Sequence, residues 1–254
     1  SLGNLADEYD YADGATYTGG ETNTVNSSIL TASAMAAAGT KWAPWLNVNN
    51  PAFDGLVSCF QGCGYYQFGL YRPSSNSKMR SLGRPFNLPS VEALVIEMYK
   101  IVRPIDDSTP TGELFTGDET LFVTPMALIG SPALTVQWFL DGQPIAGATN
   151  PTLDLAALCL TPGGGGGGAH AVSVRVQDPT TWVRNEAARL QWMTQTREWN
   201  VEARGCLAGR MQSPNNVVDM ADLLFVVAHW SQTQTCADIA PPGGDGTENI
   251  LVLL

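Results

Sequence analysis

Basic residues are scarce. The 254-residue chain carries 13 Lys and Arg against 24 Asp and Glu, and none of the basic residues precedes Lys41. A formal net charge of −11 without a basic stripe repels phosphate, which excludes nucleic acid and anionic membrane surfaces as partners. Long apolar runs are missing too. Leu223–Ala228 is among the longest, far short of the roughly 20 residues a membrane span needs. Histidine occurs only as His170 and His229, so a zinc site or Ser-His-Asp triad complete within the chain has to use one of them. Neither an initiator Met nor a signal-like apolar segment opens the sequence, and a piece of a longer polypeptide is expected. What is present suits a folded protein. The 44% hydrophobic content can build a core, and the length suggests two domains and a small third module.

The chain changes rhythm twice. Residues 1–54 are rich in Gly, Asn, Thr, Ala and Asp, with a helical turn or two expected over Leu30–Gly39. Residues 55–87 cluster Gly with Tyr and read as tight aromatic loops. A helix follows, with Ser90 as its expected N-cap, Glu92 in its first turn and Val91, Leu94, Val95, Met98, Ile101 and Val102 at helical spacing. Arg103-Pro104 ends it. From about Leu121 the period becomes two. Val136, Trp138 and Leu140 alternate with polar or aromatic neighbours before an Asp141-Gly142 turn, and Val172, Val174 and Val176 repeat the pattern. Leu153–Leu158 and Leu190–Val201 read as further strands, so residues 121–203 are expected to form an antiparallel sandwich of immunoglobulin type. The glycines at 163–168 read as a flexible loop, since no phosphate-binding Lys-Ser/Thr follows them.

Four strings carry a family resemblance. They are Leu5-Ala-Asp7-Glu8-Tyr9, Gly64-Tyr-Tyr-Gln-Phe-Gly-Leu-Tyr71-Arg72-Pro73, Asn76-Ser-Lys-Met79 and Arg103-Pro104-Ile105-Asp106. Together they resemble the zinc metallopeptidases typified by bacterial immunoglobulin A peptidases, over residues 1–110. In that family an H-E-x-x-H helix runs into a Gly and then the Ala-Asp-Glu-Tyr string. The resemblance implies that this chain is the C-terminal part of such an enzyme, with the histidine helix just upstream of Ser1 and Gly3 turning the chain back towards the metal. Two His at i and i+4 bind zinc, the Glu between them is the general base, and a third ligand comes from beyond the helix. Asp7 and Glu8 are the candidates for that third ligand; the other acid would be a supporting or solvated carboxylate. Met79 resembles the family's Met-turn, an apolar floor beneath the site. Tyr71 and Arg72 are candidates for stabilising the oxyanion or gripping peptide backbone. Where the family string carries an acid before Gly-Tyr-Tyr, this chain has Gln61.

Residues 205–254 resemble the paired calcium-loop repeats, dockerin-like and of EF-hand type, that end secreted planctomycete proteins. Placing Asp219 and Asp222 at loop positions 9 and 12 puts Met211, which cannot ligate calcium, at position 1. The second loop keeps Asp238, Asp245 and Asn249, but Val252 replaces its last carboxylate. These are weak calcium ligands on a helical frame that is kept. Cys206 and Cys236 flank the first loop and helix and are the expected disulfide, while Cys59 and Cys63 are close enough in sequence to form another. Five cysteines suggest an oxidising compartment. The expected protein is therefore a secreted, multidomain α+β chain. It comprises a partial metzincin-like subdomain (1–110), an immunoglobulin-like sandwich (121–203) and a truncated dockerin-like tail (205–254). Its parent hydrolyses peptide bonds with zinc, acts on a protein or peptide substrate, and uses the tail to dock a partner. The chain alone, without the zinc histidines and general base, is expected to be inactive. The alternative is a non-catalytic cell-surface or adhesion protein with a binding sandwich and docking tail.

Overall fold

The computed structural model describes residues 2–117, 119–129, 132–158, 160 and 169–202. The expectations placed on Asp219, Asp222, Asp238, Asp245, Asn249 and the Cys206–Cys236 bridge lie outside those residues. The rest is rich in short β-strands with three α-helices, and it divides into two units. Among the described residues, the first runs to Pro104 and takes in Leu128–Ala133 and Gln177–Gln195; the second holds Ile105–Ala127, Leu134–Val176 and residues 196–202.

In the first unit, helix α1 (Ala32–Ala38) starts where the Thr31 side chain accepts the Ala34 N–H. It stops at Gly39, left-handed at φ 63°, whose N–H closes onto the Met35 carbonyl. Met35 packs with Trp42, Trp45, Val57 and Leu88 in a buried cluster. Strands β1 (Asn49–Asn50) and β2 (Gly55–Leu56) pair antiparallel, as do β3 (Phe60–Cys63) and β4 (Tyr66–Arg72). Residues 55–87 thus contain a hairpin where only loops were expected. Glycines interrupt its alternation in the sequence and shape its backbone. Gly62 (φ 96°) sits at a register shift, and Gly69 (φ 86°) passes so close to the Tyr17 backbone that a Cβ would collide with the Tyr17 carbonyl.

Helix α2 (Leu88–Ile101) begins earlier than its apolar spacing indicates. Asn87, not Ser90, is the N-cap: its side chain accepts the Ser90 N–H at 3.1 Å, and Pro89 occupies the first turn. The Ser90 hydroxyl is instead buried without a hydrogen-bond partner. Residues 190–192 likewise depart from the expected strand. Asn185 caps helix α3 (Glu186–Trp192), whose Glu-Ala-Ala-Arg-Leu-Gln run is made of good helix formers.

The second unit contains two sheets. One has the order β10-β7-β5, built from β5 (Ile105–Ser108), β7 (Thr120–Pro125) and β10 (Thr152–Asp154). The other has the order β6-β12-β11-β8-β9, with β6 (Leu114–Phe115), β8 (Thr135–Leu140), β9 (Gln143–Pro144), β11 (Ala169–Gln177) and β12 (Thr194–Glu202). Strand β10 ends at Asp154, and Ala156–Leu158 turns as a 3-10 helix rather than extending the strand. Asp141 and Gly142, at φ 48° and 78°, make the tight turn between β8 and β9. Val172, Val174 and Val176 bury one face of β11, and Trp138 is fully buried with its ring 5.6 Å from that of Trp199. Both indoles are satisfied: Trp138 donates to the Asn150 carbonyl and Trp199 to those of Thr109 and Pro110.

Candidate functional site

The segment Asp7–Asp10 threads between the β3–β4 hairpin and the turn at 76–80. The Asp7 carbonyl accepts the Gly64 N–H at 2.9 Å, and the Tyr65 N–H donates to the Tyr9 carbonyl at 2.8 Å. On the other side the Glu8 N–H donates to the Met79 carbonyl at 2.9 Å, and Arg80 donates to the Glu8 carbonyl. Three strings far apart in sequence therefore meet along one short stretch of backbone. The fourth, Arg103–Asp106, falls where the first unit gives way to the second.

Glu8 is fully buried. One carboxylate oxygen accepts the Asn26 and Asn87 amides at 2.9 and 3.0 Å, and the other accepts the Ser77 hydroxyl at 2.5 Å. Burial pushes its pKa up, opposed by the bonds from Ser77, Asn26 and Asn87 and by the charge of Arg72. Asn26 also clamps the Ala6 backbone, accepting its N–H and donating to its carbonyl. Asn87 thus does two jobs, capping α2 and satisfying Glu8. No sequence pattern marks Asn26, whereas Ser77 lies inside the Asn76–Met79 string and a cap at Asn87 is signalled by the Asn-x-Pro that opens the helix.

Asp7 has the opposite setting. It is exposed, and its carboxylate accepts the Tyr65 hydroxyl, a bond that raises the pKa of the Tyr65 phenol. Gly3 takes φ 80°, a left-handed conformation suited to a reversal at a helix end. Met79 is half-buried and contributes its main chain: the carbonyl to Glu8 and the N–H to the Ser77 hydroxyl. Tyr71 is half-buried in β4, its main chain exchanging both hydrogen bonds with Ser28.

Arg72 is buried and spends its guanidinium on the carbonyls of Gln61, Gly62 and Ser75, with Asp10 at 3.9 Å. Burial and the neighbouring Arg80 hold its pKa below the usual arginine range. It braces the hairpin that presents Tyr65. Cys59 and Cys63 are free thiols rather than a bridge. Burial pushes them up to about 11 and about 12, and Cys63 donates to the Asp7 carbonyl.

Among the described residues no three His, Cys, Asp or Glu side chains converge as a metal site. With both Glu8 oxygens occupied and Asp10 paired with Arg80 at 2.7 Å, the segment offers a metal only the Asp7 carboxylate, and one carboxylate does not hold zinc against water. The described residues therefore do not fit zinc by themselves. A separate cavity of about 220 Å³ lies against Trp42, Pro89, Glu92 and Ala93. Its principal acid is already occupied, since Glu92 accepts the Trp45 indole and the Arg184 and Asn185 main-chain N–H groups. No helix among the described residues is long and apolar enough to cross a membrane. No protein-family model matches the chain, and no curated protein matches it in sequence.

Proposed function

We propose that residues 1–110 are the C-terminal part of the catalytic domain of a secreted zinc-dependent endopeptidase. In this reading an immunoglobulin-like sandwich at 121–203 and a dockerin-like tail at 205–254, with weak calcium loops, follow it. The observation that carries the reading is the convergence of three of its strings: the Asp7–Glu8 backbone bonds to Gly64 on one side and to Met79 on the other. Zinc would require an H-E-x-x-H helix on the N-terminal side of Gly3, and its third protein ligand would be Asp7, whose carboxylate is exposed. Glu8 would be the internal anchor of the turn, and Arg72 a positioning residue that holds the hairpin. The longer enzyme would hydrolyse peptide bonds of a protein or peptide substrate, and residues 1–254 alone would not.

The test is a longer chain that includes the residues preceding Ser1. An H-E-x-x-H there, about one zinc per chain and proteolysis abolished by Asp7→Ala but not by Glu8→Gln are the expected results. A longer chain without the two histidines, or without zinc, would overturn the proposal. It would leave the adhesion-type alternative, which the exposed tyrosines beside Asp7 favour.

A further inference from the structure

Next to Asp7 the first unit presents Tyr9, Tyr11 and Tyr65, which are 41%, 56% and 45% exposed. Tyr65 is the middle ring. It lies 6.4 Å from Tyr9 at an interplanar angle of 7°, and 5.5 Å from Tyr11 at 30°. Its backbone is left-handed at φ 71°, a conformation that a bulky aromatic residue rarely takes. The Tyr9 carbonyl, the Asp7 carboxylate and the flanking rings hold it there, so the strained residue is kept exposed rather than folded inward.

The charge around these rings is one-sided. Asp10 is neutralised by Arg80 at 2.7 Å, whereas Asp7 and Asp13 have no ion-pair partner among the described residues. Asp13 is exposed, in the turn two residues beyond Tyr11, and one of its carboxylate oxygens accepts the Ala15 N–H at 3.0 Å, a neutral donor that leaves its charge unpaired. The faces of aromatic rings are negative and attract cations, and an uncompensated carboxylate beside them adds to that attraction.

We propose that Tyr9, Tyr11, Tyr65 and Asp13 form a subsite for a lysine or arginine side chain on an extended protein segment. Calling that segment a substrate rests on the peptidase reading; the binding itself does not. Tyr65 has a ring on either side, so the cation lies on the outer face of Tyr11, with Asp13 as its counter-charge. Asp7 orients the Tyr65 ring through its hydroxyl and stays available to its own role.

The 254-residue chain itself can be tested, by fluorescence anisotropy with three labelled peptides that differ only in carrying Arg, Gln or Glu at two central positions. The Arg peptide should bind about tenfold more tightly than the Gln peptide, weaken with added salt, and exceed the Glu peptide by more. Tyr11→Ala and Asp13→Asn should each lower that affinity about three- to tenfold, and Asp13→Asn, which removes no ring from Tyr65, should do so without changing the melting temperature. Equal affinity for the Arg and Gln peptides overturns the subsite, as does an affinity that both variants leave unchanged, or binding of a neutral oligosaccharide alone. The two proposals fail separately. Cleavage by the longer chain without preference for basic peptides discards the subsite and keeps the peptidase. Arg-selective binding without cleavage does the reverse.

Discussion

Asp7 and Glu8 are adjacent in the chain and face opposite ways: the Asp7 carboxylate is exposed and accepts the Tyr65 hydroxyl, while Glu8 is sealed beneath it by Ser77, Asn26 and Asn87. The backbone bonds divide the pair: the Asp7 carbonyl joins the hairpin through the Gly64 N–H, and the Glu8 N–H joins the turn at 76–80 through the Met79 carbonyl. The pair therefore separates two roles that two adjacent acids in a polar stretch of sequence leave open. One carboxylate organises the interior of the turn, and the other meets solvent.

Glu8 makes stability depend on pH in an unusual direction for a carboxylate. Its folded pKa is raised above the ordinary value of 4.5, so the folded state holds the proton more tightly than the unfolded chain. The resulting stabilisation is complete below the unfolded pKa and is lost as pH rises through the raised folded value. Glu8→Gln keeps an acceptor for the two amides and should flatten that part of the profile. Glu8→Ala strands the Asn26 and Asn87 donors at roughly 1–3 kcal/mol each. Urea titrations between about pH 4 and 8 compare the three proteins. An identical pH slope in wild type and Glu8→Gln would rule Glu8 out as the source.

Trp138 should be the costliest truncation in the second unit. Its ring is fully buried against Trp199, and its indole donates to the Asn150 carbonyl at 2.8 Å. Trp138→Ala should lose about 3–5 kcal/mol through the cavity and the stranded carbonyl. Trp138→Phe retains most of the packing and should lose less. Denaturant midpoints followed by circular dichroism give both values, and a Trp138→Ala loss below about 1 kcal/mol would contradict the burial.

The second unit was the more legible part of the chain. Period-two apolar residues at Val136 and Trp138 and at Val172, Val174 and Val176 are visible because each strand buries a single face. The β3–β4 hairpin is hidden because Gly62, Gly64 and Gly69 break the alternation, and the need for Gly62 and Gly69 lies in contacts with Asp10 and Tyr17 far away in sequence. The apolar spacing misplaces the start of α2 for a similar reason: Ser90 has the chemistry of a cap, but Asn87, two residues before Pro89, holds the cap position. At the candidate site the strings could be recognised, but the partners of Glu8 come from three separate loops and caps. No local pattern joins Asn26 to Asn87.

The thiols at Cys59 and Cys63 should be slow to react in the native protein. Burial raises them to about 11 and about 12, so the thiolate is a minute fraction at neutral pH. Alkylation with iodoacetamide at about pH 8, mapped by mass spectrometry, should lag the denatured chain by about 100-fold or more at both positions. Rapid labelling of Cys63 in the folded protein would mean that the hairpin opens readily around the Asp7 carbonyl.

Glu92 should control how firmly residues 177–195 are held within the first unit. Its carboxylate receives the Arg184 and Asn185 N–H groups at 2.7 and 2.8 Å and the Trp45 indole at 2.5 Å. Arg184 reinforces the grip by lying 4.2 Å over the Trp45 ring and donating to the Pro44 carbonyl, and Trp182 meets Phe53 edge-on. Glu92→Ala removes the acceptor of all three bonds and should cost about 2–4 kcal/mol, since the site is only half-buried. Glu92→Gln can still accept the two backbone N–H groups through its oxygen, but its amide nitrogen then opposes the indole N–H, so it should fall between. Arg184→Ala loses a cation–π contact worth about 0.5–1 kcal/mol. Limited proteolysis across 179–185 should accelerate in the order Glu92→Ala, Glu92→Gln, Arg184→Ala, wild type. Cleavage of Glu92→Ala at the wild-type rate would show that the segment is held by packing rather than by this carboxylate.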